Sequence, residues 1–375
     1  MQKDINYTFK MLYVIAIIMI VDGHIGSFNY LDLNNFLRYQ NYHIALFMFT
    51  SGYFLNLKRN YKEFFSLKIT KLIVPLYLWN LIYGLLCWYL NNHQGFHLGN
   101  ELNAYNLLIA PITDGHQYIY NMGSWFLIPL FFVQTISYII LQPMATKSIQ
   151  TQKISAVIYF IFSLGLGAFA IAYGPQNEGA RNLTLAILRT FYFLPAFAFG
   201  TLYRQILEKY DRIKTPLYLG LLLGIIAFLS YHHPDYDHIP SWLRYINEPF
   251  WIIYAIIFCT TLFWLRVSKI LSPVIEQSRC LQYIANHTFD IMMHHFIGWI
   301  MIKAALQNCP NFNITAYKTD IWYNYYPIKE ELIGWLYIAV TIAIALIIGF
   351  TSRFMNNKIR LMINKNSPHQ GENTL

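Results

Sequence analysis

The stretch MLYVIAIIMIVDGH at residues 11–24 is an apolar run that closes on an aspartate and a histidine. A helix that crosses a bilayer needs about 20 mostly apolar residues. Extended to residue 26, this run is a candidate span, and no small-residue cleavage site of a signal peptide follows it. Runs of the same kind recur at 40–57, 70–90, 122–142, 154–174, 184–203, 216–231, 249–265, 281–306 and 332–352. They predict an all-α polytopic membrane protein with about ten transmembrane helices. A single transmembrane domain would cover 1–356, with a polar, disordered cytoplasmic tail at 357–375.

Composition points the same way. Hydrophobic residues make up 56% of the chain and charged residues 12%, about half the charged fraction of a soluble domain. The four cysteines (Cys87, Cys259, Cys280, Cys309) are scattered, with no CxxC pair, and read as packing residues.

The net charge of +9 is sorted by loop. With the N-terminus inside, 20 of the 27 basic residues fall on inner segments: Lys3 and Lys10; Lys58, Arg59, Lys62, Lys68 and Lys71; Lys147 and Lys153; Arg204, Lys209, Arg212 and Lys214; Arg266, Lys269 and Arg279; Arg353, Lys358, Arg360 and Lys365. Five lie outside (Arg38, Arg181, Arg244, Lys318, Lys329), and Arg189 and Lys303 fall within spans. A missed helix would scramble this alternation, so both termini are expected to be cytoplasmic. The basic excess then serves topology and anionic lipid, not nucleic acid.

An ionisable group inside a span is costly and marks a candidate site. The candidates are Asp22 and His24 in the first span, Arg189 in the sixth, and Asp290, His294 and His295 in the ninth, with His43 and His287 nearer the ends of theirs. At 1.5 Å of rise per residue, His24, His294 and His295 lie about 21 Å from the inner boundary, and Arg189 about 8 Å from the outer one. Three helices thus place imidazole or guanidinium groups in one layer. Each has a plainer reading: a membrane histidine can be a helix–helix hydrogen-bond partner, and Arg189 can snorkel outward. Asp290 and His294, four apart, share a helix face. In the outer segment 91–121, His93, His97 and Glu101 carry metal-ligand spacing, but Gly95 and Gly99 argue against the helix that would align them. His116, His232, His233 and His238 read as interfacial.

Six stretches carry a family resemblance: LYVIAIIMIVDGH (12–24), LFMFTSGYFL (46–55), KITKLIVPLYLW (68–79), GSWFLIPLF (123–131), RTFYFLPAFAFG (189–200) and HTFDIMMHH (287–295). In order and spacing they resemble the acyltransferase-3 family of membrane O-acyltransferases, most closely its fucose 4-O-acetylase-like branch. The sequence departs from the family pattern at Tyr13, where the family has Arg, at Lys68 and Lys71, and at Met292 in place of Tyr.

The resemblance implies acyl transfer, usually of acetyl, from cytoplasmic acyl-CoA to a hydroxyl of a glycan or other envelope molecule. A hydroxyl needs a positioned base, and histidine suits that role near neutral pH. The expected catalytic residues are His24, His295, Asp290 and His294. Arg189 and Trp125 are expected at the substrate or the oxyanion. Lys58, Arg59, Lys68 and Lys71 form an inner cationic rim for CoA phosphates. No bound cofactor is expected; acyl-CoA is a co-substrate, and the membrane would be the plasma or inner membrane. The competing reading is a transporter or polysaccharide exporter with an intramembrane His/Asp relay, although the two halves show no inverted repeat. Acceptor identity, acyl chain, a covalent acyl-histidine and oligomeric state stay open.

Overall fold

A computed structural model of the chain describes residues 5–24, 37–174, 182–233, 239–243, 246–327 and 330–366. Residues 25–26 of the first expected span, His238, Arg181, Arg244, Lys329 and the last residues of the expected tail lie outside the described residues.

Ten helical runs organise the described chain: α1 (Tyr7–His24), α2 (His43–Tyr53), α3 (Tyr61–His93), α4 (Ile119–Met144), α5 (Ile149–Tyr173), α6 (Leu183–Tyr210), α7 (Thr215–His232), α8 (Phe250–Ile270), α9 (Thr288–Leu306) and α10 (Glu330–Asn366). All but α2 are long and apolar enough to cross a membrane. Polar caps start several of them. The side-chain oxygens of Asn60, Ser148 and Asn182 accept the backbone N–H of Glu63, Thr151 and Thr184 at the starts of α3, α5 and α6, satisfying donors that a helix start leaves unpaired.

The outward faces of α3, α5 and α7 are apolar, with Leu81, Leu85, Ile158, Ile161, Leu221 and Phe228 among their exposed side chains. A surface of this kind suits lipid rather than water. The core is α6, buried along nearly its whole length from Leu185 to Leu202.

The expected span 40–57 proves shorter. A 3-10 turn at Tyr39–Asn41 leads into α2, whose 11 residues reach about 16 Å, roughly half a bilayer. α2 nevertheless runs back along α1: its Tyr53 ring meets Phe9, near the start of α1, at 4.2 Å. Its other end, at His43, lines the same cavity as His24. Glycine allows α2 and α6 to touch backbone to backbone. A Cβ on Gly52 would lie 1.9 Å from the Phe197 carbonyl oxygen, and one on Gly200 2.0 Å from that of Phe49.

Three other boundaries differ from expectation. α3 starts at Tyr61 and widens into a π-turn at Ile69–Ile73, just before Pro75, which has no N–H to give the preceding turn. The ninth span is two helices, Arg279–Asn286 and Thr288–Leu306, with the break at His287. Its depth therefore cannot be counted from Cys280 along one axis. The last helix continues to Asn366, so residues 357–366 are helical rather than disordered tail.

Candidate active site

His24 ends α1 and His295 lies on α9, 271 positions later, and their rings meet: His295 Nε2 is 3.0 Å from His24 Nδ1. The direction of this hydrogen bond follows from the other side of His295. Its Nδ1 lies 3.0 Å from the Ile291 carbonyl and 2.9 Å from that of Met292. Both are acceptors only, so His295 Nδ1 carries the proton. In the neutral ring its Nε2 must then accept, and His24 Nδ1–H donates. That fixes the His24 tautomer and leaves Nε2 with its lone pair. The pair needs close backbone approach from α4, because a Cβ on Gly123 would lie 2.8 Å from His295 Cε1 and 2.7 Å from the Met292 oxygen.

His24 opens on a cavity of about 270 Å³, lined also by Gln40, His43, His116, Trp125, Trp242 and Trp322 among others. These groups come from the end of the bundle opposite its basic loops. The two further imidazoles are anchored as His24 is. His43 Nδ1 lies 2.7 Å from the Tyr39 carbonyl, and His116 Nδ1 3.0 Å from that of Asp114. Each must donate there, which leaves Nε2 as the accepting edge. The Tyr39 hydroxyl donates in turn to the Asp22 carboxylate at 2.9 Å, which braces the turn that holds His43. Burial pushes His116 down to about 4, against the opposing pull of the neighbouring Asp114 carboxylate. It therefore meets the cavity neutral.

The aromatic wall is a stack. The His116 ring lies 4.3 Å from Trp242 at 22° and 6.0 Å from Trp125 at 19°. Arg189 sits behind it, only 1% exposed, with its guanidinium 5.0 Å over Trp125 and 5.8 Å over Trp242. Nε donates to the Ser241 carbonyl at 2.6 Å and Nη1 to that of Asp114 at 2.8 Å. Arg189 is thus neither snorkelling nor a lining group. It joins the two segments that carry the stack.

The remaining expected residues go elsewhere. Asp290 accepts from Arg353 on α10, while His294 turns to α3, with Nδ1 2.7 Å from the Tyr83 hydroxyl and its ring against Trp79. The Asp290–His294 face does not form a pair, because Asp290 meets Arg353 of α10 and His294 meets Tyr83 of α3. Lys58 and Lys71 are exposed, Arg59 and Lys68 half-buried, and none lines the His24 cavity. Gly95 and Gly99 take positive φ, so no continuous helix aligns His93, His97 and Glu101.

Sequence reasoning named His43 only as a residue near the end of its span and missed His116, Trp242 and Gly123 at the cavity. Depth along a helix was legible for His43, but which way it faced was not. His116, expected at the wet interface, is buried in the stack with Trp242.

A family profile described as an acyltransferase domain, the acyltransferase-3 profile, matches residues 7–356. No curated protein and no solved structure matches the chain.

Proposed function

The chain belongs to the acyltransferase-3 family, and from that premise we propose that it moves an acetyl group from cytoplasmic acetyl-CoA to a sugar hydroxyl of an envelope glycan, with His24 as the general base. The observation that carries this reading is the tautomer chain. His295 is pinned by two carbonyls, His24 is pinned by His295, and His24 Nε2 is left as a lone pair on the cavity. A base held in one tautomer with its accepting atom exposed to substrate suits removal of a hydroxyl proton.

The reaction balances on this one group. The acceptor oxygen attacks the thioester carbonyl as His24 Nε2 takes the hydroxyl proton. The C–S bond then breaks, and the CoA thiolate recovers that proton from His24. No proton is gained or lost overall.

Two features support a sugar as acceptor. Three imidazoles offer accepting edges to hydroxyl donors, and indole rings offer flat apolar walls to a pyranose face. The motif resemblance to fucose 4-O-acetylases points the same way. Cavity lining from one end of the bundle, with the basic loops at the other, fits an acceptor arriving from outside the plasma or inner membrane and a donor from within. A relay transporter is less well supported, since Asp290 is committed to Arg353, away from the histidines.

The test is chemical analysis of the envelope glycan from cells making the wild type, His24→Ala or His295→Phe at equal protein levels. Loss of a general base costs about 100- to 10,000-fold, so base-labile acetate should disappear with His24→Ala. His295→Phe, which removes the acceptor for His24 Nδ1–H, should lower it strongly. Glycan acetate unchanged in His24→Ala would end the assignment.

A further inference from the structure

Lys303 is a buried amine that the acyl-transfer chemistry leaves unused. It lies two turns beyond His295 on α9 and is 1% exposed. A buried ammonium is costly unless its donors are satisfied. Here they reach one short stretch of the connection between α9 and α10. Nζ donates to the Ile321 carbonyl at 2.9 Å and to the Tyr323 carbonyl at 3.1 Å, and it sits 3.9 Å over the Trp299 ring. The residue between those two carbonyls is Trp322. Its own N–H donates to the Asp320 carboxylate at 2.8 Å. The backbone around Trp322 is therefore held on both sides and at its own nitrogen.

The Trp322 side chain is treated differently from its backbone. Its ring lies 5.8 Å from Trp299, lines the His24 cavity and is 47% exposed. A half-exposed indole on a rigid backbone at a cavity mouth is a stacking surface, with little conformational freedom left to lose on binding.

We infer that Trp322 is a stacking platform for the acceptor's sugar ring at the cavity mouth, and that Lys303 is the positioning residue that holds it there. This rests on the reading of the cavity as the acceptor's place. Lys303 touches no reacting atom. It acts through the two carbonyls that flank Trp322.

The test combines hydrogen exchange of the detergent-solubilised full chain with transfer of label from [1-14C]acetyl-CoA to envelopes of the producing cells. Hydrogen bonds from a charged donor are strong enough that losing two should speed local exchange about tenfold or more. Lys303→Met should accelerate exchange across 314–326 by that factor and leave 188–203 unchanged. Label transfer should fall about tenfold with the half-saturating acetyl-CoA concentration unmoved, because donor binding is untouched. Trp322→Ala, a change at a half-exposed site, should lose as much, and the double variant should be no worse than Trp322→Ala alone. Lys303→Arg, which keeps the charge and the donors, should restore both exchange and transfer. Unchanged exchange in Lys303→Met, wild-type transfer in Trp322→Ala, or losses that multiply in the double variant would each overturn the inference. Should the wild type itself transfer no label while exchange responds as stated, the acyl-transfer reading fails and the acceptor role of Trp322 falls with it.

Discussion

His24, His43 and His116 reach one cavity from three stretches of chain, and each is held through Nδ1 by a protein group, so that Nε2 is the edge left without a protein partner among the described residues. The sequence marked His24 because an imidazole at the end of an apolar run is costly there. It could not mark its partners equally well. Depth can be counted along a helix at 1.5 Å per residue, but the direction a side chain faces depends on which helices surround it. So His295 was separable from His294 only by packing: adjacent in sequence, one faces His24 and the other Tyr83. His116 gives a direct pH test. Its folded value of about 4 lies below the unfolded value of about 6.5. The unfolded chain binds a proton in that window that the folded chain does not. Its contribution to stability is thus complete above about pH 6.5 and is lost as pH falls toward 4. Thermal unfolding followed by intrinsic fluorescence should show a shallower loss of stability between pH 6.5 and 4.5 in His116→Gln than in the wild type. Equal slopes would contradict a neutral, buried His116.

Among elements, α2 shows most clearly where a pattern stops being informative. Its apolar run over 40–57 has the length of a full span, yet the helix covers only His43–Tyr53. The polar and aromatic residues before it form the turn that presents Gln40 and His43 to the cavity. The SGYFL stretch, noticed as a family motif, has a packing reason: Gly52 and Gly200 are a reciprocal pair that lets α2 and α6 approach along their backbones. Alanine at either should cost about 1–3 kcal/mol, as overpacking does. The expected result is a lower unfolding temperature in detergent for Gly52→Ala and Gly200→Ala. Gly220→Ala and Gly224→Ala on α7 serve as controls, because nothing lies within 4 Å of a Cβ at either position. They should be neutral or slightly stabilising, since alanine is the better helix former. Equal tolerance at all four positions would remove the close-packing account. The break at His287 and the π-turn before Pro75 were less legible, because both depend on tertiary packing more than on local propensity.

At the scale of the whole molecule, composition and the alternation of basic loops were enough for a polytopic all-α protein, because a bilayer leaves few alternatives to helices. The cavity was not legible at that scale. It is assembled from parts of the chain as distant as Gln40, His116, Trp242 and Trp322. Sidedness remains a proposal with a clear consequence. If the basic end faces the cytoplasm, Lys68 and Lys71 lie on the donor side, about 20 Å from His24 along the membrane normal. Lys68→Gln with Lys71→Gln should then raise KM for acetyl-CoA and leave kcat nearly intact, most visibly at low salt. An unchanged KM would exclude both from donor binding. Acetyl transfer through His24 is tested most directly with purified protein in liposomes loaded with envelope glycan from the producing cells. [1-14C]acetyl-CoA is added to the face that exposes Lys62, a sidedness fixed by labelling an introduced cysteine there. Alkali-labile label is expected on the enclosed glycan with wild-type protein, and at least about 100-fold less with His24→Ala. Equal label with the two proteins, or none with either, would rule out transfer through His24.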